Sequence, residues 1–161
     1  MKTIKQTVIF KASPHEVYEA LMDSKKHSSF TGSTAKISRK IGGSFSAYDG
    51  GLHDKNLELV KDKKIVQAWR CEMDNWPEKH YSKAVFSMKR TAKGTKLSFV
   101  QTGIPDACKE SIAKGFEKAA HFSKETGFLE AVTAFRALVL FRLEFTIPAR
   151  CHDYLSAAFR A

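Results

Sequence analysis

The sequence predicts an α+β domain in which one antiparallel sheet wraps a long C-terminal helix. Three features predict it: period-two alternation near the N-terminus, closely spaced turns from Ala35 to Thr102, and a return to helical spacing after Pro105. A chain of 161 residues suits one domain, which buries roughly 70% of the surface its unfolded chain exposes.

Each element follows from local chemistry. Ile4, Gln6, Val8 and Phe10 share one face of the first segment, and Lys5, Thr7 and Ile9 share the other, which is a strand. Ser13-Pro14-His15-Glu16 then starts a helix. Ser13 can accept the N3 amide, Pro14 fits N1, and Glu16 can close a capping box. With Val17, Ala20 and Leu21 at helical spacing, this helix covers Pro14 to Met22. Phe30-Thr31-Gly32 reads as the end of a second short helix.

From Ala35 the chain reads as strands. They cover Lys36–Lys40, Ser44–Tyr48, Asn56–Val60, Ile65–Cys71, His80–Lys89 and Thr95–Thr102. The breaks are Gly42-Gly43, Asp49-Gly50-Gly51, Lys61-Asp62-Lys63, Asn75-Trp76-Pro77-Glu78 and Lys93-Gly94. Turns this tight require an antiparallel meander, because parallel crossovers need a dozen or more residues. After Gly103-Ile104-Pro105-Asp106, the spacing of Ile112, Gly115, Phe116, Ala119 and Ala120 predicts a long helix from Asp106 or Ala107. Beyond Gly127 the composition shifts. Residues 126–161 hold four Arg and no Lys, against 23 Lys+Arg in residues 1–125. Leu129, Val132, Phe135, Leu138, Val139 and Phe145 form an apolar helical stripe that Pro148 should stop. The chain therefore divides into a domain over residues 1–127 and an atypical apolar, helical C-terminal extension over 128–161.

Composition narrows the function. The 43% apolar and 27% charged content excludes a disordered chain. No uncharged apolar run approaches the ~20 residues of a membrane span, and the N-terminus lacks a signal-peptide core. A soluble, cytoplasmic protein is expected. Cys71, Cys108 and Cys151 are too few and scattered for a disulfide framework or a zinc site, so neither metal nor cofactor is expected. No nucleophile elbow, phosphate-binding loop, dinucleotide fingerprint or zinc-protease motif occurs, and no enzyme activity is expected. The net charge of +10 admits nucleic acid, anionic lipid or an acidic protein as partner. The basic residues fall at turns and strand ends without interleaved aromatics, which argues against nucleic acid.

The aromatics carry more information. Phe45, Trp69, Phe86 and Phe99 occupy alternating strand positions, and Phe116 lies on the closing helix. They are either plain core or the lining of a cavity that one helix does not fill. His80 shares the parity of Ala84, Phe86 and Met88, so it is either a polar group inside that concavity or a strand-end histidine near solvent. Glu72, Asp74 and Glu78 surround Trp76, where solvated acidic loop residues are expected.

Taken in order, the residues resemble a known family. The pieces are Ala12-Ser13-Pro14, Glu16-Val17-Tyr18 and Leu21, Phe30-Thr31-Gly32, Gly42-Gly43-Ser44-Phe45, Asp49-Gly50 and Asn56-Leu57-Glu58-Leu59. They continue through Ile65-Val66-Gln67-Ala68-Trp69-Arg70, Trp76-Pro77, His80-Tyr81, Gly94-Thr95-x-Leu97-x-Phe99 and Gly103-Ile104-Pro105. This order and spacing resemble the activators of heat-shock protein 90 ATPase, within the START-like (SRPBCC, birch-pollen-allergen-like) superfamily. Gly115-Phe116 stands where the family usually has Gly-Trp. The resemblance implies a helix-grip fold and a non-enzymatic co-chaperone that docks on the nucleotide-binding domains of heat-shock protein 90, an acidic chaperone. The family's separate N-terminal domain has no counterpart expected in these residues. The alternative implied by the superfamily is a binding protein for a small apolar ligand between sheet and helix, and an enzyme of the cyclase or hydratase type ranks third. Fold alone does not choose among these.

Overall fold

The first strand, β1 (Lys2–Phe10), buries Ile4 and Phe10 and exposes Lys5, Thr7 and Ile9, as its alternation predicts. The structure, a computed structural model, describes residues 1–73 and 75–108. Helix α1 (Pro14–Met22) begins with the predicted capping box. The Glu16 amide donates to Ser13 Oγ at 3.2 Å, and the Ser13 amide donates to Glu16 Oε2 at 2.8 Å. Val17, Tyr18, Leu21 and Met22 form its buried face. It packs on the sheet and on α2 (Ser24–Thr31), which Asp23 caps at the start and Gly32 ends in the left-handed region.

Six further strands follow: β2 (Lys36–Ile37), β3 (Ser44–Ala47), β4 (Leu52–Val60), β5 (Lys64–Cys71), β6 (Ser82–Thr91) and β7 (Gly94–Ile104). Among the described residues they form one antiparallel sheet in the order β1-β7-β6-β5-β4-β3-β2. The N-terminal strand thus closes onto the last one, with Ile4 opposite Gln101 and Phe10 opposite Thr95. The buried core lies on one face of this sheet, where α1 packs against β6 and β7.

Three of the boundaries that differ from the sequence reading have a visible cause. The Lys36–Lys40 strand shrinks to two residues, because residues 38–43 fold back as a loop held by Asn56: the Gly42 amide donates to its carbonyl at 2.8 Å and its amide donates to Gly43 O at 2.9 Å. Strand β4 starts at Leu52, four positions before the expected Asn56. Pairing on both sides carries the polar His53, Asp54 and Lys55 into the ladder, a tertiary override of weak strand propensity. Strand β6 starts at Ser82 rather than His80, because the chain is still turning at Lys79, whose φ is 57°. The helix expected from Asp106 is described only as a single 3₁₀ turn, Asp106–Cys108. Phe116, the rest of that helix and the 128–161 extension lie outside the described residues.

Candidate functional site

Directly opposed residues of an antiparallel sheet project to the same face. Through the register, Phe45, Trp69 and Ser82 stand in one row of the inner face, and Asn56, Gln67, Ala84, Gln101 and Ile4 stand in the next. A third row holds Ile65, Phe86, Phe99 and Gln6. Four predicted site residues, Phe45, Trp69, Phe86 and Phe99, are therefore buried on one face. Three of them pack together, with ring centroids 5.8 Å apart for Trp69–Phe86, 5.6 Å for Trp69–Phe99 and 4.9 Å for Phe86–Phe99. These separations and tilts lie in the range aromatic pairs favour. Phe45 sits two strands away in the same apolar cluster.

The inner face is also polar, which the aromatic pattern alone does not suggest. Trp69 Nε1 donates to Gln67 Oε1 at 2.9 Å, and Gln67 Nε2 donates to Asn56 Oδ1 at 2.9 Å. Asn56 Nδ2 then reaches Ser38 O at 2.6 Å and Lys40 O at 3.3 Å. On the other side, Gln101 Nε2 donates to Ser82 Oγ at 2.8 Å, and Ser82 Oγ donates to Trp69 O at 3.2 Å. Gln101 is fully buried, and among the described residues its Oε1 has no hydrogen-bond partner. A buried acceptor left unpaired is costly, so this atom is open to a hydrogen-bond donor. Period two does place Gln101 with Phe99 and Leu97, so its inward position was readable. Its bonding state was not.

His80 does not line this face; Ser82 occupies the position its parity suggested. His80 is half-buried in the loop before β6, with Nε2 2.6 Å from Gly103 O and its ring 5.9 Å from that of Trp76. Trp76 Nε1 donates to His80 O at 2.8 Å, and Trp76 itself is buried. The pair fastens this loop to the end of β7.

The chemistry of the remaining groups is mild. Glu72 is exposed, and the His53 imidazole at 2.8 Å, with help from Arg70, holds its pKa below the usual carboxylate value. The Ser13 backbone and hydroxyl lower Glu16, and Arg39 lowers Glu19. A general acid at neutral pH needs a displacement the other way. Among the described residues, no group of three or more His, Cys, Asp or Glu is placed to hold a metal. No described helix is long and apolar enough to cross a membrane.

Comparison with known proteins gives this geometry a context. The family described as Activator of Hsp90 ATPase homolog 1-like protein matches residues 11–122. The mouse activator of 90 kDa heat shock protein ATPase homolog 2 is 31% identical over 124 residues, 77% of this chain and 37% of that protein. The Dictyostelium discoideum activator of 90 kDa heat shock protein ATPase homolog is 33% identical over 118 residues, 73% of this chain and 30% of that protein. The chain thus spans about a third of the length of these curated relatives. Among solved structures, an HSP90 activator from Plasmodium falciparum superposes with a TM-score of 0.60 at 27% identity, covering 65% of this chain and 75% of that one. The Aha1 dimer from Colwellia psychrerythraea has a TM-score of 0.56 at 17% identity, covering 90% of this chain and 93% of that one, and shares the fold. The match spans α1, α2 and strands β2 to β7, so this chain belongs to the family of Activator of Hsp90 ATPase homolog 1-like proteins.

Proposed function

We propose that this domain binds a chaperone of the heat-shock protein 90 type and modulates its ATPase, without itself being an enzyme. The family match over residues 11–122 carries this reading. The charge of +10 supports it, because an acidic partner is then attracted at long range. Calorimetric titration of the chaperone at low and high salt, paired with a steady-state ATPase assay, tests the proposal. Binding should weaken markedly as the screening length falls from about 8 Å at physiological strength to ~3 Å at 1 M salt. Since the chain spans about a third of its curated relatives, its 161 residues alone are expected to bind but to stimulate only weakly. No binding at low salt removes this reading. Strong stimulation by this chain alone overturns the weak-stimulation mechanism.

One observation favours a second reading, a small and mostly apolar ligand held on the inner face. Gln101 Oε1 offers an acceptor that is unmet among the described residues, close to the buried aromatic group. The lining would be Phe45, Trp69, Phe86 and Phe99, with Phe116 from the C-terminal region. Native mass spectrometry of the purified protein should then show a stoichiometric small molecule, and Gln101→Leu should lose it. A clean apo mass, with Gln101→Leu as stable as the parent or more so, sinks this reading.

A further inference from the structure

We propose that the outer face of the sheet is the surface that docks an acidic protein partner; this rests on the co-chaperone reading and names the face it uses. The register fixes what this face displays. Val66, Val85 and Val100 stand side by side across β5, β6 and β7, with Lys5 beyond Val100 on β1. In the adjacent row, Ala68 lies between Lys55 and Lys83. Val85 and Val100 are half-buried and give the centre of the face a shallow apolar strip, to which Val66 and Ala68, 3% and 8% exposed, add little surface.

Lysines surround that strip. Lys5, Lys36, Lys55, Lys83, Lys89 and Lys96 are all exposed, and none has a carboxylate within ion-pair distance among the described residues. Glu58 is the acid beside the strip, and Lys64 Nζ already holds it at 2.9 Å. Lys89 stands directly opposite Lys96 across β6 and β7. Like charges placed so oppose sheet formation, and no local carboxylate offsets them. A local rule broken without compensation inside the fold is expected where a partner supplies the compensation.

The chemistry selects a protein over the other polyanions. An apolar centre with a charged rim is the anatomy of a protein interface. A nucleic-acid surface would place Arg and aromatic rings on the face for phosphate forks and base stacking. No Phe, Tyr or Trp projects from the outer positions of these strands, and the one arginine at those positions, Arg70, is already held by Glu72 and the Pro77 carbonyl, which leaves lysines as the unengaged cations around the strip.

The test compares two variants of the whole chain with equal change in net charge. Lys83→Glu with Lys89→Glu alters the outer face, while Lys25→Glu with Lys26→Glu alters exposed positions of α2. Calorimetry with the chaperone should show about ten-fold weaker binding for the first and less than about three-fold for the second. Equal losses would reduce the effect to net charge and overturn the proposal, as would no loss from the outer pair. Lys89→Glu alone should raise the thermal midpoint, by turning a repulsive pair with Lys96 into an attractive one, while still weakening binding. Weakening that appears only with a lowered midpoint overturns the assignment.

If the chaperone does not bind the parent chain, the co-chaperone reading fails and the face is judged separately. Amide shifts of the labelled chain titrated with poly-glutamate at low salt should then cluster at Lys83, Lys89 and Lys96. Shifts spread equally over α2 overturn the proposal. So does tighter binding to duplex DNA or to phosphatidylserine vesicles than to the peptide.

Discussion

Asn56 shows how much one side chain can organise. Its amide bridges Gln67 to the carbonyls of Ser38 and Lys40, and its backbone holds Gly42 and Gly43. Asn56→Ala leaves Gln67 Nε2 and the Ser38 carbonyl without their partner, while Lys40 O keeps the Gly43 amide, so it should cost roughly 1–3 kcal/mol in urea unfolding. A cost near zero would mean that water replaces the amide. His27 supplies a pH handle. Burial pushes its pKa from 6.5 down to about 4, against a smaller opposing pull from the backbone of Leu21 and Ala20. Between those values the unfolded chain binds the proton and the folded one does not. Stability is therefore full above pH 6.5 and falls as the pH drops toward 4, by up to roughly 3 kcal/mol. Glu16, Glu19 and Glu72, whose pKa values are lowered by their partners, lose stability only at more acid pH, below about 4.5. His27→Leu should flatten the upper window and leave the lower one. An unchanged slope between pH 6.5 and 5 would refute the assignment.

At the scale of elements, the Gly94-Thr95-x-Leu97-x-Phe99 run has a mechanical meaning. A Cβ on Gly94 would fall 2.0 Å from Phe10 O, and its φ is +118°, so only glycine lets β7 begin this close to β1. One residue on, Thr95 Oγ1 donates to Ala12 O at 2.7 Å and ties β7 to the entry of α1. Leu97 and Phe99 then fill the inner face. Gly94→Ala should cost at least ~1 kcal/mol and speed hydrogen exchange in β1 before it affects β4 or β5. Uniform acceleration over the whole sheet would contradict this local account. Trp69 serves β5 in two ways, as the ring that Phe86 and Phe99 pack on and as the donor that satisfies Gln67. Trp69→Ala should cost about 3–5 kcal/mol; an unchanged denaturation midpoint and slope would mean the face is not core.

For the whole molecule, the positive charge acts before contact. With a net charge of +10, an acidic partner is steered on approach, so salt should slow association more than it speeds dissociation. Stopped-flow measurements at several ionic strengths should show most of the salt dependence in the association rate. If the dissociation rate carried it, short-range ion pairs rather than steering would dominate.

The sequence by itself determined the helix caps, the meander and the inward aromatics, because each depends on residues close in the chain or on strict alternation. The capping box needs only Ser13, Pro14 and Glu16, and the facing of Phe86 and Phe99 needs only period two along two strands. Tertiary structure decided what depends on partners far apart in sequence. It shortened β2, because Asn56 claims the loop after Ile37. It took His80 off the inner face, because Trp76 and Gly103 hold it in a loop. It set Lys89 against Lys96 and left Gln101 Oε1 without a partner among the described residues, since register and burial arise only when strands meet. Alternation tells a side chain which way to face, but only the assembled sheet tells it what it faces.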